Sequence, residues 1–474
     1  MNTTIEELQQ AEEQFLAKWP AYAATGELDC LRATEFGRLD RLSHVYLDYT
    51  GAGLYGESQV REHAAFLESA VFANPHSHNP TSLEATERVE RCRARILDHF
   101  NASSREYAAI FTANASGALK LVGEAFPFNS GSQYLLTFDN HNSVNGIREF
   151  ARNRGAEIHY IPLTAPELRV DPDHVARYLS QGRAGTNQLF AYPAQSNFSG
   201  VQHPLEWIGQ AQAKGWTVLL DAAAFVPTNR LDLSRWHPDF VSLSFYKMFG
   251  YPTGVGCLLA RKEALRRLRR PWFAGGTITV ASVQGDRFFL QEGASAFEDG
   301  TVDFLGIPAV EIGLRFLEGA GVERIHERCR CLSAWLMEEL LARRHHDGAP
   351  LVRLYGPAHT ESRGGTLTMN FLDASGSVID HLRVEEAAAR HNISLRTGCF
   401  CNPGDGEIAL SISKCELTRC FGQPEVEATS RFTVDDLRLC VTGKTTGAVR
   451  VSFGMASNFA DAFRFAQFTT EFLG

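Results

Sequence analysis

Between residues 107 and 268 short apolar runs alternate with amphipathic helical patterns. Residues 108–112 (AAIFT) make a run of strand length, and residues 115–125 behind them carry helical spacing. The same change of period recurs at 133–138 (QYLLTF), followed by a helix through 147–154. Further strand-like runs fall at 157–161, 188–191, 217–220 and 240–243. Apolar positions that recur every three or four residues fit a helix, and short apolar runs between turn signals fit buried strands. Strands alternating with helices predict an α/β fold with a mostly parallel sheet covered on both faces. In such a sheet ligands bind beyond the carboxyl ends of the strands, so the residues found there carry the chemistry.

Beyond residue 306 the pattern changes. Helical spacing covers 309–318 and 321–344, strand-like runs follow at 352–355, 366–371 and 449–453, and helices are expected near 383–391 and 461–472. The expected division is an N-terminal segment (1–60) packing with the small domain, a large α/β domain (61–305) and a smaller α+β domain (306–474). Residues 415–447 have the weakest periodicity and are expected to form a loop-rich insertion.

Composition narrows the function. The chain is 44% hydrophobic and 21% charged, an ordinary balance for a globular protein. Its net charge of -9 argues against a general nucleic-acid or anionic-membrane binder. The N-terminal stretch is polar and acid-rich, without the basic start and apolar core of a signal peptide. No apolar run approaches the ~20 residues of a membrane helix, so a cytoplasmic protein is expected. Ten cysteines in such a chain are expected as free thiols, and none shows the CxxC spacing of a zinc site, so no metal is expected.

The strand ends bring an ordered set of polar residues. After AAIFT comes Asn114-Ala115-Ser116-Gly117, opening a helix whose free N–H groups suit a phosphate. After QYLLTF comes His141, able to stack on a flat ring or to act as acid or base. Asn197 follows the run at 188–191, and Asp221 emerges directly from the apolar run at 217–220 beside three alanines. A carboxylate there needs a strong partner, for which a protonated pyridine nitrogen would serve. Lys247 lies just after a strand within SLSFYKMFGYPTGVG, where desolvation favours the free amine that forms imines. Each feature alone admits an ordinary reading: helix cap, loop histidine, turn asparagine, surface lysine. Together, and in this order, they supply what pyridoxal 5′-phosphate requires.

One further motif is RTGCFCNPG, residues 396–404. Two cysteines, Cys399 and Cys401, sit among glycines and a proline that keep the segment mobile. Arg396 supplies positive charge, which lowers a nearby thiol's pKa.

These motifs resemble the fold-type I pyridoxal phosphate enzymes of aminotransferase class V, in particular cysteine desulfurases and the N-terminal, desulfurase-like domain of molybdenum cofactor sulfurases. The resemblance is carried by YLDYTGAGLY (46–55), NPHS (74–77), ALKLVGEAFP (118–127), PAQSNFSG (193–200), SFYKMFGYPTGVG (244–256), LRTGCFCNPG (395–404) and TGAVRVSFG (446–454). It implies that Lys247 holds the cofactor, Asp221 pairs with its nitrogen, His141 stacks on it and Asn197 contacts its phenolic oxygen. Ala115, Ser116, Ser244 and Tyr246 then lie by the phosphate. The resemblance further implies a homodimer in which Thr277, from the stretch 274–277, reaches the partner's phosphate. Arg450 would bind the substrate carboxylate, Cys401 would carry a persulfide, and Arg396 and Cys399 would border the substrate, Cys399 as a resolving or backup thiol. The implied reaction converts L-cysteine to L-alanine and passes sulfur to an acceptor protein or cofactor. A C–S lyase, epimerase or aminotransferase of the same class, for which Cys401 is dispensable, is the alternative, and a sulfur-carrier-binding scaffold a second. The sulfurase loop continues with another cysteine after NPG, where this chain has Asp405-Gly406.

Overall fold

Seven strands form the central sheet, in the spatial order Tyr107–Thr112, Gly256–Arg261, Phe240–Ser244, Thr217–Asp221, Gln188–Pro193, Gln133–Thr137, Glu157–Ile161. The computed structural model describes residues 5–183, 185–423, 426, 431–441 and 444–474. All neighbouring strands run parallel except Gly256–Arg261, which is antiparallel to both its neighbours. The apolar runs read from the sequence are therefore buried strands with both faces covered, as parallel sheets require. Alternation along a strand divides the core in two: Tyr134 and Leu136 pack with Leu119 and Val122 on one face, and Leu135 joins the cluster on the other.

The antiparallel strand was not anticipated. Its apolar stretch is only four residues long and follows a glycine-rich turn, so periodicity alone does not separate it from a loop. Its position matters, because it brings the turn at Gly256 against Asn114 at the head of the helix Ala115–Ala125.

A second, antiparallel sheet has the order Val352–Tyr355, Thr366–Phe371, Ala448–Ser452, Arg396–Gly398. The N-terminal segment is stitched to it. Val45–Tyr46 pairs in parallel with Ile393–Ser394, and Asp48 bridges to Ser452. Behind the sheet Phe15 stacks on Phe459 at 4.6 Å, and Arg32 makes a buried ion pair with Asp461 at 2.5 Å. Residues 1–4 of the expected N-terminal segment lie outside the described residues.

The region 415–447 departs from expectation. Its described residues include the helices Lys414–Phe421 and Val434–Cys440, each opened by a capping box, Ser413 with Glu416 and Thr433 with Asp436. Cys420 and Cys440 form a disulfide between them, so the expectation of ten free thiols fails here. Residues 424–425, 427–430 and 442–443 of this region lie outside the described residues. The helices are short, and the caps and the cross-link, rather than an apolar stripe, define them. The remaining eight cysteines are free; Cys329 and Cys331 are enclosed, and burial pushes both thiols up to about 12. Among the described residues no helix is long and apolar enough to cross a membrane.

Candidate functional site

Ala115, Ser116, His141, Asn197, Asp221, Ser244, Tyr246 and Lys247 line one cavity of about 190 Å³. Strand ends and the turns after them place these residues there, since every parallel strand delivers its carboxyl end to the same edge of the sheet. Asp221 is the last residue of its strand, and its Oδ1 accepts hydrogen bonds from the Ala223 N–H (3.1 Å) and the Ser242 hydroxyl (2.9 Å). Among the described residues nothing donates to Oδ2, which leaves that oxygen open at the cavity wall.

Lys247 follows the strand ending at Ser244 by three residues, in the short helix Phe245–Phe249. Burial pushes its ammonium below the ordinary lysine range, with the Asp221 carboxylate partly opposing the shift. The turn is held from below by the YLDYTGAGLY segment. Gly53 donates its N–H to the Tyr246 carbonyl at 3.0 Å, and a Cβ on Gly53 would stand 2.9 Å from the Lys247 carbonyl. Only glycine permits that approach.

His141 caps a short helix, its Nδ1 accepting the Ser143 N–H at 3.1 Å, so the ring proton sits on Nε2. Burial holds the imidazole below its ordinary pKa, against the pull of Asp221. At the head of the helix Ala115–Ala125, Ala115 donates its N–H to Ser244 Oγ at 2.9 Å, and Ser116 Oγ lies 2.6 Å from Ser143 Oγ. Two hydroxyls and a helix N-terminus thus meet at one end of the cavity.

The cysteine loop docks against the same cavity. Asn197 Nδ2 donates to the Phe400 carbonyl at 2.6 Å, Asn142 donates its N–H to the Cys401 carbonyl at 2.7 Å, and Asn402 Nδ2 donates to the Asp139 carbonyl at 2.8 Å. Phe400 and Cys401 both have left-handed backbone, φ +55° and +56°. Each such residue costs about 1–2 kcal/mol, which the three hydrogen bonds offset. The segment expected to be mobile is pinned along its backbone here, while both cysteines are exposed.

Arg450 and Arg396 meet at a residue that sequence reasoning missed. Asp48 Oδ1 accepts from Arg450 Nη2 at 2.8 Å, and its Oδ2 accepts from Arg396 Nε at 2.9 Å. Asp48 lies inside the YLDYTGAGLY motif, so the signal was present, but nothing in the sequence says that residue 48 reaches residues 396 and 450. Arg450 also donates to the Asn197 carbonyl at 2.8 Å, stands 4.7 Å over the Phe400 ring, and keeps an enclosed Nε with no acceptor. The expectation that Arg396 lowers a neighbouring thiol's pKa is not met at Cys399: the Arg396 charge is paired with Asp48, and desolvation of the sulfur, on a residue whose surface is otherwise exposed, pushes the Cys399 thiol up. Thr277 stands apart from the cavity of its own chain, its Oγ1 donating to the Ala274 carbonyl at 2.7 Å.

Comparison with known proteins gives a consistent picture. Residues 45–465 match the family Aminotransferase class-V. The chain is 39% identical to a molybdenum cofactor sulfurase of Solanum lycopersicum, over 97% of this chain and 59% of that protein. It is 38% identical to a molybdenum cofactor sulfurase of Homo sapiens, over 94% of this chain and 51% of that protein. The chain thus spans a little over half the length of these relatives. Among solved structures it superposes on a cysteine desulfurase from Thermococcus onnurineus with a TM-score of 0.75 at 24% identity, covering 93% of this chain and 96% of that one. The cysteine desulfurase CsdA from Escherichia coli gives 0.72 at 20% identity, covering 94% and 98%. At those identities the likeness is one of fold, that of fold-type I enzymes.

Proposed function

Because the chain belongs to the aminotransferase class-V family, we propose that it is a pyridoxal phosphate-dependent cysteine desulfurase that forms a persulfide on Cys401 and hands that sulfur to an acceptor protein or cofactor. The observation that carries the reading is the meeting of Lys247, Asp221 and His141 in one cavity with a cysteine loop pinned to its rim at Asn197 and Asn142.

The cavity fits the cofactor. The open Oδ2 of Asp221 suits a pyridinium N–H, Ser116 and the helix head suit a phosphate, and the neutral His141 ring suits a stacking face. Asn197 gives one amide hydrogen to Phe400 and keeps the other for a phenolic oxygen. When bound, pyridoxal phosphate supplies the electron sink that lets a proton leave the amino acid's Cα. The free amine of Lys247 is the base that moves that proton, consistent with its depressed pKa. Arg450 binds the substrate carboxylate, for which its unpartnered Nε is a donor in waiting. The Cys401 sulfur attacks the substrate sulfur; an S–S bond forms, the C–S bond breaks with its electron pair left on the β-carbon, Cβ takes a proton, Cα regains the one it lost, and alanine leaves.

The relatives' printed name makes molybdenum cofactor an acceptor to test. A cytoplasmic homodimer completes the reading. The hairpin of Ile278–Ser282 and Arg287–Leu290 exposes Val280, Val283 and Phe289, an apolar face suited to a second copy. The test is incubation with L-cysteine followed by mass spectrometry. The expected result is alanine together with a 32 Da sulfur adduct (about one atom) on Cys401, lost in Cys401→Ala and retained in Cys399→Ala. Alanine without an adduct on Cys401 would overturn the reading, and pyruvate with sulfide in place of alanine would overturn it in favour of a lyase.

A further inference from the structure

Asp405 is fully enclosed in the first turn of the helix Pro403–Ala409. Its Oδ2 accepts hydrogen bonds from the Ser196 hydroxyl and from Asn402 Nδ2 (3.0 Å), and its N–H donates to Asn402 Oδ1 at 3.2 Å. Its Oδ1 has no partner. The neighbouring Asp139, equally enclosed, also has an unpartnered Oδ1, while its Oδ2 is engaged by His203 Nε2 at 2.7 Å.

Two enclosed carboxylates, each with an orphaned oxygen, are costly if both are charged, because burial without compensation disfavours each ion and each repels the other. A proton on one of them removes that repulsion and turns its orphaned oxygen into a donor. His203 Nε2 lies 2.7 Å from Asp139 Oδ2, whereas the side-chain partners of Asp405 are the neutral Ser196 and Asn402, so the proton is assigned to Asp405. Burial and the Asp139 charge both push the Asp405 carboxyl well above its ordinary range. The other titratable groups around it are Cys399, whose Cβ lies 3.5 Å from the Cβ position of Gly406, and Glu407 on its own helix with Arg148 opposite. Neither supplies a buried cation to compensate a second carboxylate.

The location gives this proton a purpose. Asp405 joins the cysteine loop to the turn at Ser196, its partner Asn402 also donates to the Asp139 carbonyl at 2.8 Å, and at Gly404 the loop comes so close that a Cβ would stand 1.9 Å from the Phe138 carbonyl. We propose that Asp405 is a positioning residue that acts in its neutral form, a hydrogen-bonded latch seating the cysteine loop on the cofactor side of the site and so setting where Cys401 stands. The consequence for sulfur transfer rests on the desulfurase reading; the latch itself does not.

Hydrogen exchange of residues 397–404, measured on the full chain and corrected for intrinsic rates, tests the latch without requiring turnover. Wild-type protection is expected to fall as pH rises, because ionising Asp405 places a second charge beside Asp139. In Asp405→Asn the amide donates toward Asp139 and its oxygen accepts from Ser196 and Asn402, so protection persists without that pH dependence. Asp405→Leu is expected to exchange roughly tenfold faster, the scale of one buried hydrogen bond. Asp139→Asn, which removes the repelling charge, is expected to keep the loop protected to higher pH than the wild type, and serves if Asp405→Leu does not fold. Asp405→Asn exchanging as fast as Asp405→Leu would show that a charged carboxylate does the holding, and a loop in Asp405→Leu as protected as in the wild type would show no latch; either overturns the proposal. If the wild type forms no persulfide while these exchange results hold, it is the functional reading that fails and the latch that stands.

Discussion

The cofactor wall and the cysteine loop face each other, yet they are built by opposite means. The wall is made of strand ends: Asp221, Ser244 and the turn to Lys247 are delivered by neighbouring strands of one sheet and need few additional contacts. The loop has little regular structure at its cysteines. Phe400 and Cys401 are held in left-handed backbone by hydrogen bonds from the loop to residues 142, 197 and 139. A wall of strand ends is stable because the sheet is stable. The loop is placed by a handful of long-range hydrogen bonds, each replaceable and each able to yield when the sulfur must leave.

The largest effect tests the wall. Lys247→Ala is expected to lower alanine formation by at least about 10³-fold and to abolish the visible absorbance of the bound cofactor, while the loop's exchange protection stays as in the wild type. A loop that loosens in this variant would mean that wall and loop are not separate constructions. Next comes the joint between the regions. Asp48→Ala leaves Arg450 enclosed without its acid, and is expected to cost about 3 kcal/mol in chemical denaturation while raising KM for cysteine more than it lowers kcat. An unchanged denaturation midpoint would remove Asp48 from that role.

The smallest effect is one of pH. Burial lowers the Lys247 and His141 pKa values below their ordinary range, so the unfolded chain binds more protons on these groups than the folded one. Stability of the cofactor-free protein therefore rises with pH through the interval below each ordinary value, about 10.4 for lysine and about 6.5 for histidine. Subtracting the stability profile of cofactor-free Lys247→Ala from that of the wild type should isolate the rise in the alkaline interval, while the His141 contribution, present in both proteins, largely cancels. A difference curve that is flat in the alkaline interval would contradict the burial argument.

The wall was legible in the sequence because buried parallel strands announce themselves as apolar runs, and the residue after each run must lie at the sheet edge. The loop's motif was legible too, but its partners were not. Gly256–Arg261 hid behind glycines, and the paired helices with the Cys420–Cys440 link hid in a region of weak periodicity. Asp48 could be quoted as part of a motif without any sign that it joins Arg396 to Arg450.

By itself, then, the sequence determined the alternation of strand and helix, the edge on which chemistry gathers, and which lysine and which cysteines to examine. These follow from local periodicity and from chemistry confined to a few neighbouring residues. The tertiary structure alone decided that Arg396 shares Asp48 with Arg450 rather than standing free, that the cysteine loop is pinned rather than loose, and that Asp405 lies enclosed beside Asp139. Charge, burial and hydrogen-bond satisfaction depend on residues hundreds of positions apart, and only the folded chain brings them together.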